Sequence, residues 1–152
     1  MPRKRSFLFD SGTLYAQIDV VANANSVSTI AGGNATRKLK SIEIKPYGSV
    51  VQAVTGTNEW YLNNNIIVTS IIATLRGPSN VAPQGRDMIV VIKKNNVNFA
   101  TITITKATTS KVIDYTNTSP LFAYNGDKLT FDVTQPGLTT PGSGLKLDIT
   151  YY

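Results

Sequence analysis

Apolar and polar residues alternate one for one over long stretches of this chain. Between 128 and 134, Leu129, Phe131 and Val133 alternate with Lys128, Thr130, Asp132 and Thr134. In the last stretch, Leu145, Leu147, Ile149 and Tyr151 alternate with Lys146, Asp148, Thr150 and Tyr152. A period of two sends successive side chains to opposite faces, so it predicts strands with one face on a core and the other toward solvent or a partner. The same pattern predicts strands at 14–21, 39–45, 50–54, 59–62, 66–76, 88–94, 97–105, 111–115 and 120–124. "IIVTSIIATL" and "MIVVIKK" are denser in apolar residues, which predicts central strands covered on both faces. No stretch of 11 or more residues repeats at the helical period.

The punctuation between these runs fits hairpins. Asn95 and Asn96 separate two strand runs, and asparagine tolerates the positive φ of a tight turn. Asn125-Gly126 is a second turn signal, and "GPSNVAPQGRD" is a long loop. Many short strands with regular turns predict an all-β fold, an antiparallel β-sandwich. The first third differs: "SVSTIAGGNATRKLK" is small and polar, as in a long loop or an arm crossing a neighbour. The expected division is a basic N-terminal arm with additional strands at 1–54 and the sandwich domain at 55–152.

Composition narrows the chemistry. Charged residues are 16% of the chain, below the roughly 25% of typical soluble domains, and Thr, Asn, Ser and Gly fill the difference. The net charge is +6. Residues 1–54 hold seven basic against three acidic side chains, and Arg3, Lys4 and Arg5 crowd the tip. No secretory h-region follows that tip, and no apolar run reaches the ~20 residues of a membrane-spanning helix. The lack of cysteine fits synthesis in the cytoplasm and leaves the later location open.

There is no cysteine and no histidine, so Ser-His-Asp and Cys-His catalysis, disulfides and the usual zinc sites have no residues to work with. No phosphate-cradling loop is present, and no cofactor or metal is expected. A glycosidase needs only two carboxylates. However, Asp132 and Asp148 fall at outward strand positions and read as solvated acids, while Asp127 follows Asn-Gly as a turn residue. Glu59, beside Trp60 and Tyr61, has no evident carboxylate partner, so the chain is read as non-enzymatic. The "EWYLNNN" cluster makes Trp60 and Tyr61 candidate glycan contacts, rings to stack on sugars and amides to bond hydroxyls; the alternative is that Trp60 turns inward to anchor the core or a subunit seam. Phe7, Leu8 and Phe9 follow the basic tip, so Arg3, Lys4, Arg5, Phe7, Leu8 and Phe9 form a candidate partner-binding arm. No nucleic-acid-binding motif accompanies that charge, which favours an acidic protein surface over nucleic acid.

Several of these features occur together in one family. Pro83 and Gly85, Lys94 and Asn95, Gly126, Asp127 and Leu129, Asp132 to Thr134, Gly137, and Gly142 to Leu147 follow one pattern. It is a Pro-x-Gly loop, a strand ending in Lys-Asn, a Gly-Asp-x-Leu strand with Asp-Val-Thr, and a closing Gly-x-x-Leu strand. Over about residues 66 to 152 this resembles a jelly-roll-like module of tailed-bacteriophage virion structural proteins, with Asn96 where the pattern has Gly. The resemblance implies a virion location and a capsid decoration or cement role, or else a neck, tail or fibre component. It also implies the major capsid protein or other virion proteins as partners, and a homo-oligomer, with a trimer favoured. Tyr151 and Tyr152 are then candidates for sealing a subunit seam.

Overall fold

The structure is a computed structural model that describes residues 36–116 and 119–152. The strand expected at 14–21 and the arm residues Arg3 to Phe9 lie outside the described residues. The compact unit runs from Lys38 to Tyr152 and holds nine strands. They are β1 (Lys38–Glu43), β2 (Val54–Tyr61), β3 (Ile66–Thr74), β4 (Met88–Lys94), β5 (Val97–Ile104), β6 (Ser110–Asp114), β7 (Leu121–Ala123), β8 (Lys128–Gln135) and β9 (Lys146–Tyr151). The sandwich thus begins at Lys38, not at 55, and β1 is one of the additional strands expected within 1–54.

Two antiparallel sheets form, one ordered β1-β9-β3-β6 and the other β2-β8-β4-β5. β7 also pairs with β3, opposite Ile66 to Val68, while β6 pairs opposite Ser70 to Thr74. β6 and β7 are therefore two halves of one strand. Counted so, the first strand pairs the last, the second pairs the last but one, and so inward to the β4–β5 hairpin. That nesting is a long hairpin rolled into two sheets, the jelly roll. The all-β sandwich read from alternation is the observed fold.

Alternation works because both sheets turn one face to a shared core. Met88, Val90 and Ile92 of β4, Leu129, Phe131 and Val133 of β8, Leu147 and Ile149 of β9, and Ile102 and Ile104 of β5 are all buried there. β3 and β4 are interior strands, as their apolar density predicts. Their outer faces are not covered, however: Ile72 is exposed and Ile89 and Val91 are half-buried. Of the strand expected at 50–54 only Val54 is in a strand, and residue 50 makes an isolated bridge to Ser143; the strand expected at 59–62 is instead the longer β2, from Val54 to Tyr61, with two register shifts against β8.

The two ends of the sandwich are built differently. One end carries the β2–β3, β4–β5 and β7–β8 turns, all short. Asn95 (φ 51°) and Asn96 (φ 71°) make the β4–β5 turn with the left-handed backbone their identity favours. The other end carries the long β1–β2, β3–β4 and β8–β9 connections. There Arg76 ties the loops together: its Nε donates to Gly144 O (3.0 Å) and its Nη2 to Glu43 Oε2 (2.9 Å) and Lys45 O (3.3 Å). Its backbone accepts from Gly48 N and donates to Ser143 O. Gly144 (φ 64°) passes so close that a Cβ would lie 1.9 Å from Arg76 O.

Candidate functional site

Trp60 and Tyr61 are neighbours in sequence and part company in space, as period two requires. Trp60 is half-buried against the core, opposite Leu129. Its ring meets Tyr151 edge-on, with centroids 5.4 Å apart and planes at 60°. Lys40 Nζ lies 5.4 Å from the Trp60 ring centroid. Lys40, Trp60 and Tyr151 come from β1, β2 and β9, so they close the side of the core where edge strands of the two sheets lie together. Tyr151 thus has an intramolecular partner for its ring. Tyr152, half-buried, follows β9, and its backbone exchanges two hydrogen bonds with Ile67.

Tyr61 is on the outside, 64% exposed. Its hydroxyl donates to Glu59 Oε1 at 2.8 Å, and Lys128 Nζ is 3.3 Å from Glu59 Oε2 and 5.7 Å from the Tyr61 ring. The Tyr61 hydrogen bond, and after it Lys128, hold the Glu59 carboxyl below its ordinary pKa. Glu59 in turn raises Lys128. Glu59 therefore sits ionised against a lysine and a phenol, on the face opposite Trp60.

A second exposed tyrosine stands at the same end. Leu62 N donates to Asp127 O and Gly126 N to Leu62 O, which ties the β2–β3 turn to the β7–β8 turn that carries Tyr124. Tyr124 is 55% exposed. Lys94 Nζ donates to Phe122 O at 3.0 Å and lies 5.3 Å from the Phe99 centroid and 5.5 Å from that of Tyr124. Asp127 is the turn residue expected: it accepts from Tyr124 N and from Asn95 Nδ2, both at 2.7 Å. Those two bonds, the Tyr124 N–H first, lower its pKa. Asn95 Oδ1 accepts from Lys128 N, and Asn65 Oδ1 from Asn125 N. The short-turn end is a hydrogen-bonded, charge-paired surface of two tyrosines and exposed asparagine amides. It can stack on and hydrogen-bond a neutral polar partner.

Asp132 departs from expectation. Its strand position is outward, yet its side chain is only 3% exposed. The irregular part of β2 folds over it, so that Gly56 N donates to Oδ1 at 2.6 Å, and Lys93 Nζ reaches Oδ2 at 2.8 Å. Asp148 is half-buried on the outer face, accepting from Ser41 Oγ at 2.5 Å with Lys146 Nζ at 3.2 Å. Glu43 is bound to Arg76, Asp87 accepts from Lys106 N, and Asp114 from Thr116 N. Every carboxylate of the described residues thus holds a backbone N–H, a hydroxyl or a cation. Among the described residues no three of Asp, Glu, His and Cys gather as a metal site.

Tyr124, Lys94 and the asparagines of the other two turns, Asn95 and Asn125, are the site residues that the reading of single motifs missed; the amides of Asn63 to Asn65 were part of it. The site residues come from three turns far apart in sequence, and only Asn-Gly and Asn-Asn marked the turns themselves. No family model matches this chain, and comparison with curated proteins finds no match.

Proposed function

We propose that this chain is a non-enzymatic structural protein of a tailed-phage type of virion, a capsid decoration or head-associated protein that binds the shell and bridges neighbouring subunits. The observation that carries the reading is the use of its charges. In a jelly roll, an architecture common in capsid and lectin domains, six of the seven carboxylates of the described residues join separate strands or loops. Surface rigidity of this kind suits a protein that must persist at a fixed place in an assembly. The residues pointing to a virion are those of the phage-module pattern, from Pro83 to Leu147. In this reading the sandwich forms a homo-oligomer, and Arg3, Lys4, Arg5, Phe7, Leu8 and Phe9 dock on an acidic partner such as the major capsid protein.

Quantitative mass spectrometry of purified particles, counting this chain against the major capsid protein, tests the proposal. Hundreds of copies per particle are expected for decoration of a symmetric shell, and about a dozen or fewer for a neck, tail or fibre part. Absence from the particle rejects the virion reading. Deleting residues 1–10 should abolish particle binding with the sandwich intact; unchanged binding rejects the arm.

A second reading is favoured by one observation, the pair of exposed tyrosines with asparagine amides at the short-turn end. Here the protein binds a host-surface glycan as part of a fibre. Because Trp60 packs inward, the residues to change are Tyr61 and Tyr124. Glycan-array binding lost in Tyr61→Ala and Tyr124→Ala, with an unchanged melting temperature, would establish it; no binding by the wild type would end it.

A further inference from the structure

The two sheets end in four edge strands, and three of them are protected against pairing with another chain. β1, "KLKSIE", carries three charges. β2 is broken by two register shifts and by a left-handed Asn58. The β6–β7 edge is cut into pieces of five and three residues and carries Lys111 and Asp114. Charges, bulges and shortness are the usual means of keeping a sheet edge from adding strands. β5, "VNFATITI", has none of these over its second half: it contains no charge, proline or glycine. Its one irregularity is the unpaired Phe99, and from Ala100 to Ile104 it runs regularly against β4. Its far side pairs with no strand among the described residues.

We propose that β5 is a homotypic interface, pairing antiparallel with β5 of a second copy about a two-fold axis so that two four-stranded sheets become one. The occupant is a second copy because the strand is complementary to itself. A two-fold through Ile102 sets Ala100 opposite Ile104 of the second copy on the core side, small against large. On the outer side it sets Thr101 opposite Thr103, a favourable cross-strand pair. The same register places Lys106 opposite Asn98, so no like charges meet. The core-side residues are already buried within each copy and the outer pair is accessible, so the contact requires backbone pairing and two threonine pairs without repacking either core. A two-fold contact is isologous and closed, and builds assemblies of even number.

The chain's lack of cysteine permits a register-specific test on the full-length protein. Across an antiparallel pair, facing Cα atoms are about 4.5–5.5 Å apart, within disulfide reach. Thr101→Cys mixed with Thr103→Cys should give a covalent dimer on mild oxidation, at least tenfold faster than either variant alone. Analytical ultracentrifugation of the wild type should give an even number of chains. Thr101→Lys/Thr103→Lys should halve it with an unchanged circular dichroism spectrum. A monomer or an isolated trimer overturns the proposal, as does cross-linking no faster in the mixture than in the separate variants. The virion reading is decided separately, by copy number in particles.

Discussion

The two ends of the sandwich achieve rigidity by opposite means. At the long-loop end, backbone meets backbone at short range, with Arg76 bonded to two separate segments, residues 43–48 and 143–144, and Gly144 pressed against its carbonyl. At the short-turn end, side chains hold the turns: Asn95, Asp127 and Asn65 each bond a neighbouring backbone or amide. Interactions of the first kind leave no room for variation. Those of the second kind are individually small and replaceable, which leaves the rings of Tyr61 and Tyr124 free to face a partner. An end that is locked by glycine and arginine suits a fixed mount, and an end that is locked by exchangeable amides suits a recognition surface.

Substitutions should separate the two ends in order of size. Gly144→Ala places a methyl group into Arg76 O at a positive φ, and should cost about 3 kcal/mol or more, the range of severe backbone and packing defects. Gly126→Ala at the other end meets nothing within 4 Å, so only its positive φ is strained, at ~1 kcal/mol. Thermal unfolding of the pair measures the contrast directly, and equal losses would erase it. Next, Arg76→Ala removes two carbonyl bonds and the Glu43 pair, for about 2 kcal/mol. Asn95→Ala should cost about half as much, ~1 kcal/mol by urea denaturation.

The smallest effect is that of acid. Folding lowers the pKa of Asp127 and of Glu59, so each favours the folded state fully above the ordinary carboxylate range. That contribution is lost as the pH falls through the lower folded value. Lys128 has the opposite sign: its raised pKa gives stability that is present below the ordinary lysine value and lost as the pH rises through the raised one. Asp127→Asn should therefore flatten the acid limb of the urea midpoint below about pH 4, while leaving the response to Gly144→Ala unchanged. A limb of wild-type steepness would show that Asp127 does not support the short-turn end.

Much of this architecture is legible in the sequence because sheet alternation and turn chemistry are local. Leu129, Phe131 and Val133 announce their burial by spacing alone, and Asn95-Asn96 announces its turn by the backbone that asparagine tolerates. What could not be read depends on distant segments. Asp132 stands at an outward position and becomes buried only because Gly56, 76 residues away, crosses above it. The start of β2 at Val54 was likewise not legible, since residues 54 to 58 become a strand by pairing, with register shifts, against the distant β8. Of the candidate surface, Tyr61 was legible and Tyr124 was not, because their turns are brought together by bonds between distant segments, Leu62 with Gly126 and Asp127, and Asn65 with Asn125.

The nested pairing of strands has a further consequence for the timing of synthesis. β1 has β9 as its neighbour, so Lys38 to Glu43 finds its sheet partner only when residues 146 to 151 have emerged. β9 also separates β1 from β3, so until then the first sheet lacks an interior strand. A growing chain can form the β4–β5 hairpin early, but most of its pairings join residues far apart, and topologies of that kind fold slowly. A nascent chain therefore displays open strand edges until its last strand is released. The charges of β1 and the irregularities of β2 then guard not only the finished molecule but also the unfinished one.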